Sequence, residues 1–416
     1  MNALKHQYLL SEYDATAYYF DSIYMIVTQN TIIPKLNWTI ADPGFHVLLY
    51  WLGKIYINIF QIKQVTYFHF ILFLIFLHSL TFLYMYIELE RKKLLTRATS
   101  VVFFLFVLFE PMMLRFSATL EREIVVSLLL LFFIIGYMEN NFLSMAVYGF
   151  ILYFFREIYL YFIPFLFFIQ IVHKRFFKGH FFIFLILMLF TFPLVVDILS
   201  SFSKEMEHIF FVHGKERGLS GFGDLILGSG YFFRVLLYSI LGFVAPIPIY
   251  PFFDSSYSTF YVLAFIMGLG SISYFFMNTY IIFSLGSIDK KNFKLPGKKL
   301  KDNMEKYYPI FKAYIAIIVL HFVFHGLIFN VRHRLQIIPP LIFIFFHVFK
   351  IMSDETDITQ RVSIGKCLLA SISITALLNF LYFVIKLKLI FEAGIILMCL
   401  MSLLIIMIQR NLFQFK

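Results

Sequence analysis

The chain has 416 residues, is 61% hydrophobic and only 14% charged, and carries a formal net charge of +11. Domains solvated by water carry about 25% charged residues, so the composition argues against water as the main solvent. It reads the basic excess as the Lys/Arg bias of membrane-protein loops rather than as a nucleic-acid footprint. The two cysteines, Cys367 and Cys399, both lie in apolar runs and build neither a disulfide frame nor a cysteine-based metal site.

Residues 1–14 are polar and lack the apolar core of a cleavable signal peptide. The stretch from Ser11 to Asp21 brings three carboxylates, Glu12, Asp14 and Asp21, to the front of a long series of apolar segments. Residues 15–33 are aromatic but broken by Asp21 and Gln29, which predicts an interfacial helix ended by Pro34. Asp42-Pro43-Gly44 opens a second one over 45–60, with Asp as a cap and Pro in the first turn. Apolar runs then recur at 65–87, 98–114, 124–138, 142–155, 158–172, 181–200, 258–285, 313–331, 337–350, 366–385 and 391–408. A crossing needs roughly 20 apolar residues, so several of these runs are short. Their apolar character on all sides excludes the alternation of a barrel strand. No internal repeat is evident.

The predicted fold class is therefore an all-α polytopic membrane protein with about eleven transmembrane helices and two N-terminal juxtamembrane helices. It forms one helical membrane domain over 1–416. Basic clusters at Arg91-Lys92-Lys93, His173-Lys174-Arg175, the eight lysines from Lys290 to Lys312, and the C-terminus fall on one side when the spans are threaded. The positive-inside rule makes that side cytoplasmic, with the C-terminus. An acidic loop over 1–64 and a large loop over 201–257 fall outside, and a basic loop over 286–312 falls inside.

Five groups could carry chemistry. Asp14 and Asp21 are seven apart and share one helix face; they suit a divalent metal or a general base, or else a solvated helix start. Arg115 with Glu121-Arg122-Glu123 opens a span, as a site or as acids favoured by the helix dipole. Arg156-Glu157, followed by Tyr159, lies between two apolar runs, as a functional pair at membrane depth or as a surface turn. Arg332-His333-Arg334 is a basic group on the acidic side; arginine suits phosphate, and the alternative is an ordinary basic loop. The glycine-rich stretch containing His208 and His213 reads as a closing loop or a linker.

These residues resemble a known family. The run from Asp14 to Asp21 resembles the opening of the first outer loop in GT-C-type integral membrane glycosyltransferases. Asp42 to Leu52 is similar to the start of that family's second juxtamembrane helix, and Arg332 to Pro339 to its late arginine–proline motif. Pro246-Ile247-Pro248 resembles an element of bacterial polysaccharide polymerase-like proteins. The resemblance implies a glycosyltransferase of cell-surface polysaccharide assembly in the bacterial inner membrane. Its donor is a polyprenyl-phosphate-linked sugar, its acceptor a glycan or lipid, and its surroundings membrane lipids; nucleic acid is not a partner. Asp14 would be base or metal ligand, making a divalent metal the one cofactor implied, with Glu121 and Glu123 as further acids. Arg332, His333 and Arg334 would hold the phosphate. Asp21, Asp42, Arg156 and Tyr159 would line the substrate site. The family's layout places a span before the acidic loop, and here none precedes Met1. The alternatives are a repeat-unit polymerase, favoured by the 201–257 loop, and a flippase for lipid-linked oligosaccharides.

Overall fold

The computed structural model describes residues 13–29, 31, 34, 43–109, 120, 122–156, 159, 162–163, 166, 261–293, 297–322, 334–354 and 362–386. These residues form ten helices: α1 (Tyr13–Thr28), α2 (Pro43–Asn58), α3 (Tyr67–Arg91), α4 (Arg97–Phe109), α5 (Glu123–Glu139), α6 (Phe142–Phe155), α7 (Tyr261–Phe293), α8 (Gly297–His321), α9 (Arg334–Asp354) and α10 (Ile364–Lys386). The chain divides into two units. One comprises Met1–Arg175, Asp302–Leu320 and Arg332–His347; the other comprises Phe176–Lys301, His321–Val331 and Val348–Lys416.

The first unit is organised around an α5–α6 hairpin. Asn140 ends α5 in the left-handed region, φ 55°, and the amide of Asn141 donates back to the Gly136 carbonyl. Asparagine tolerates that conformation better than most residues with a side chain. The side chain of Asn141 then caps α6, its Oδ1 accepting from the Ser144 amide at 3.1 Å. Two adjacent asparagines thus stop one helix and start the next, so the two run antiparallel. A Cβ at Gly136 would lie 2.7 Å from Ser144 Oγ, which places the helices in close approach. The hairpin tip is closed by α8. Lys312 is buried there; its Nζ donates to Asn140 Oδ1 at 2.6 Å and lies 4.6 Å above the Tyr137 ring.

Further helices pack on this hairpin. α3 starts with a capping box between Thr66 and His69 and lies along α5. α2 packs on α1, α3 and α6. At its first turn Gly44 approaches the α6 backbone so closely that a Cβ would stand 2.8 Å from the Phe154 carbonyl oxygen. Backbone cannot swing aside as a side chain can, so Gly44→Ala forces the two helices apart. The expected loss is about 1–3 kcal/mol, the usual range for overpacking, read as a lower denaturation midpoint at unchanged m-value. In the second unit α7 packs against α10, and Tyr274 is stacked on His321 with its hydroxyl 2.8 Å from Nδ1.

The arrangement corrects the predicted fold class. Among the described residues two helices, α3 and α9, are long and apolar enough to cross a membrane, where eleven spans were expected. The runs at 124–138 and 142–155 are helices of 17 and 14 residues. At 1.5 Å per residue they reach about 21–26 Å, less than the ~30 Å hydrocarbon layer. A helix that is apolar all round is buried, either in lipid or in the core of a large protein. In α5 and α9 the cover is protein: the residues of α5 from Glu123 to Ser127 are all buried, and 83% of the apolar window of α9 is enclosed. The corresponding window of α3 is 28% buried, with Phe68, Leu72, Phe76, Leu83 and Ile87 exposed. The expected runs at 181–200 and 391–408 and the loop at 201–257 lie outside the described residues.

Candidate functional site: a buried arginine–glutamate cluster

The hairpin brings together residues far apart in sequence. Because α5 and α6 run antiparallel, the first residue of α5 and the residue after α6 meet at the base. Glu123 begins α5 and is fully buried; Arg156 follows Phe155 and is 6% exposed. Each suits its helix end, an acid at the positive N-terminus of α5 and a cation at the negative C-terminus of α6. The Arg156 backbone is extended, φ −163°, and its amide still donates to the Leu152 carbonyl at 2.8 Å, which fixes where its side chain starts.

Arg156 Nη1 lies 3.5 Å from Glu123 Oε1, and Arg122 Nε lies 3.9 Å from the same oxygen. Arg122 Nη1 also donates to the hydroxyl of Tyr18 on α1 at 2.9 Å. Tyr159 completes the group. It is fully buried, and its hydroxyl donates to Oε1 of Gln336 on α9 at 2.8 Å. Burial pushes the Tyr159 phenol well above its ordinary value; the charges of Arg156, Glu123 and Arg122 also act on it. The cluster therefore joins α1, α5, the end of α6 and α9. It sets two guanidiniums against one carboxylate among the described residues.

Of the residues singled out in the sequence, Glu123, Arg156 and Tyr159 come together here. Arg334 is fully buried at the start of α9, two residues before Gln336. Asp21 is exposed on α1. Asp14 lies in α1, but its side chain is outside the described set, as are Glu121, Asp42, Arg332, His333 and the 201–257 histidines. Among the described residues no three His, Cys, Asp or Glu side chains converge as metal ligands. Sequence reasoning did not single out Gln336 or Tyr18 as site residues. Gln336 stands alone between Leu335 and Ile337, with no spacing to mark it.

His46 borders the cluster. It is 3% exposed on α2, with its ring edge-on to Tyr18 at 5.1 Å. Burial lowers its pKa below the usual 6.5, with Asp21 opposing in part. The unfolded chain takes up this proton first, so the neutral imidazole contributes stability above pH 6.5 that is lost as pH falls toward the lower folded value. Stability is expected to decline below pH 6.5, and His46→Gln is expected to remove this residue's share of that decline and leave a shallower limb in denaturant titrations at a series of pH values.

No family model matches the chain, and no curated protein or solved structure is significantly similar to it. The GT-C resemblance thus rests on short motifs without the multi-span layout that would carry it. The glycosyltransferase, polymerase and flippase readings depend on that layout. So do the lipid-linked donor, the glycan or lipid acceptor, the membrane-lipid partners and the inner-membrane location. With two membrane-length helices among the described residues in place of eleven spans, these expectations fall with it.

Proposed function

We propose that the Arg122–Glu123–Arg156–Tyr159 cluster binds an oxyanion, and that recognition of an anionic ligand is the protein's activity. The observation that carries this reading is the convergence of two guanidiniums, from either end of the hairpin chain, on one fully buried carboxylate. Charges away from water are costly unless well matched, and arginine is permanently charged and shaped for oxyanions. Approach is at Arg122, whose side chain keeps 11% exposure whereas Glu123 has none. Glu123 then acts as an intramolecular competitor for the same guanidiniums.

The test is the melting temperature of the full chain in phosphate or sulfate against chloride at matched ionic strength. A specific ligand at 100 times its Kd adds about 2.7 kcal/mol of stability. The wild type is expected to gain from the oxyanions, and Arg156→Gln to lose most of that gain. Equal melting in all three salts, or an undiminished gain in Arg156→Gln, would sink the reading. A purely bracing role for the cluster predicts that second pattern.

A further inference from the structure

We infer that the start of α3 is a proton-sensitive latch: protonation of His69 releases the Thr66 amide, and with it loosens the hold that Tyr67 keeps on the segment entering α5. The inference is independent of the oxyanion reading. Nδ1 of His69 lies 3.0 Å from the Thr66 amide nitrogen and 2.7 Å from Thr66 Oγ1. A backbone N–H can only donate, so Nδ1 accepts and the proton of the neutral ring sits on Nε2. Glutamate or glutamine is the usual residue at this position of a capping box, and neither becomes a cation. Histidine does.

A proton on Nδ1 turns the acceptor into a donor. The Thr66 amide then faces another donor and loses its partner. The added positive charge also sits in the first turn, where the helix dipole already presents its positive end. From α2, Tyr56 donates its hydroxyl to the His69 carbonyl at 3.0 Å and sets its ring against the imidazole, with 5.3 Å between centroids. Burial pushes that phenol above its ordinary value, so it stays a donor throughout. From α1, Tyr19 meets Tyr67 and Phe70. Among the described residues the partners of His69 are Thr66 and Tyr56, and neither is a carboxylate that would hold the imidazolium. The effect travels because Tyr67, the first residue of α3, follows the cap directly. Its hydroxyl accepts from the Leu120 amide at 3.1 Å, and Leu120 is fully buried three residues before Glu123.

The experiment is amide hydrogen exchange of the full chain by mass spectrometry at pH 8 and pH 5, with rates corrected for the intrinsic effect of pH, for wild type, His69→Gln and Tyr67→Phe. An imidazole in water gains its proton near pH 6.5, so the two conditions bracket it. The wild type is expected to lose protection about fivefold at pH 5, the scale of one helix cap, in the peptides containing Thr66 and Leu120. His69→Gln keeps an acceptor in place and is expected to hold its protection at both pH values. Tyr67→Phe is expected to keep the response at Thr66 and to lose the one at Leu120. His46 is present in all three proteins, so a difference between them does not arise from it. An equal loss in His69→Gln and the wild type, or no loss in the wild type, would overturn the latch. A Leu120 response that persists in Tyr67→Phe would overturn its link to α5.

Discussion

Arg156→Met is expected to destabilise the protein by about 3–5 kcal/mol, the cost of stripping one partner from a buried ion pair. The loss is large because Glu123 has no exposure and cannot turn to water when Arg156 is removed. Arg122 remains, at 3.9 Å and partly engaged with Tyr18, and covers only part of the deficit. The double variant Arg156→Met/Glu123→Leu removes the stranded charge along with its partner. Well-packed apolar replacements of buried pairs are often neutral or stabilising, so the double variant is expected to be more stable than Arg156→Met alone. Denaturant titration of the two singles and the double gives the coupling energy directly. Additive losses would mean that the two side chains do not act on one another.

Phe133→Ala is expected to cost about 3–5 kcal/mol by a different route, an unfilled cavity. Phe133 sits mid-helix in α5, fully buried, its ring nearly parallel to that of Tyr137. It faces Gly149 of α6, where a Cβ would come 3.4 Å from its Cε2. Helix backbones on both sides hold the space open, so little of it can collapse. Phe133→Leu retains most of the volume and is expected to lose much less. Equal losses for the two substitutions would show that the hairpin repacks freely around this position.

Helix positions were largely legible because apolar runs and their breakers are local properties. Pro43, read as the first turn of a helix, opens α2, and the runs at 124–138 and 142–155 match α5 and α6 to within a residue. What covers a helix is not local. The uniformly apolar α5 satisfies the description of a membrane span and of a core helix equally; the structure adds that neighbouring parts of the protein cover it. Charge was more informative than hydropathy for the site. Glu123 and Arg156 stood out as ionisable residues flanking apolar runs, and the antiparallel hairpin explains why two such residues 33 positions apart meet. Gln336 was not legible, because a lone amide in an apolar helix acquires meaning only from the Tyr159 hydroxyl across from it. The apolar stripe of α3, with Phe68, Leu72 and Phe76 exposed, was legible as hydropathy but not as an unburied face.

Glu123→Gln gives the most direct test of the oxyanion site, because it separates a binding site from a brace by sign. If Glu123 competes with the ligand for Arg122 and Arg156, neutralising it lowers the stability of the free protein yet tightens its grip on inorganic phosphate. The expected gain in affinity in calorimetric titration is roughly tenfold, equivalent to about 1.4 kcal/mol of relieved competition. Phosphate affinity that is unchanged or weaker in Glu123→Gln than in the wild type would contradict the site.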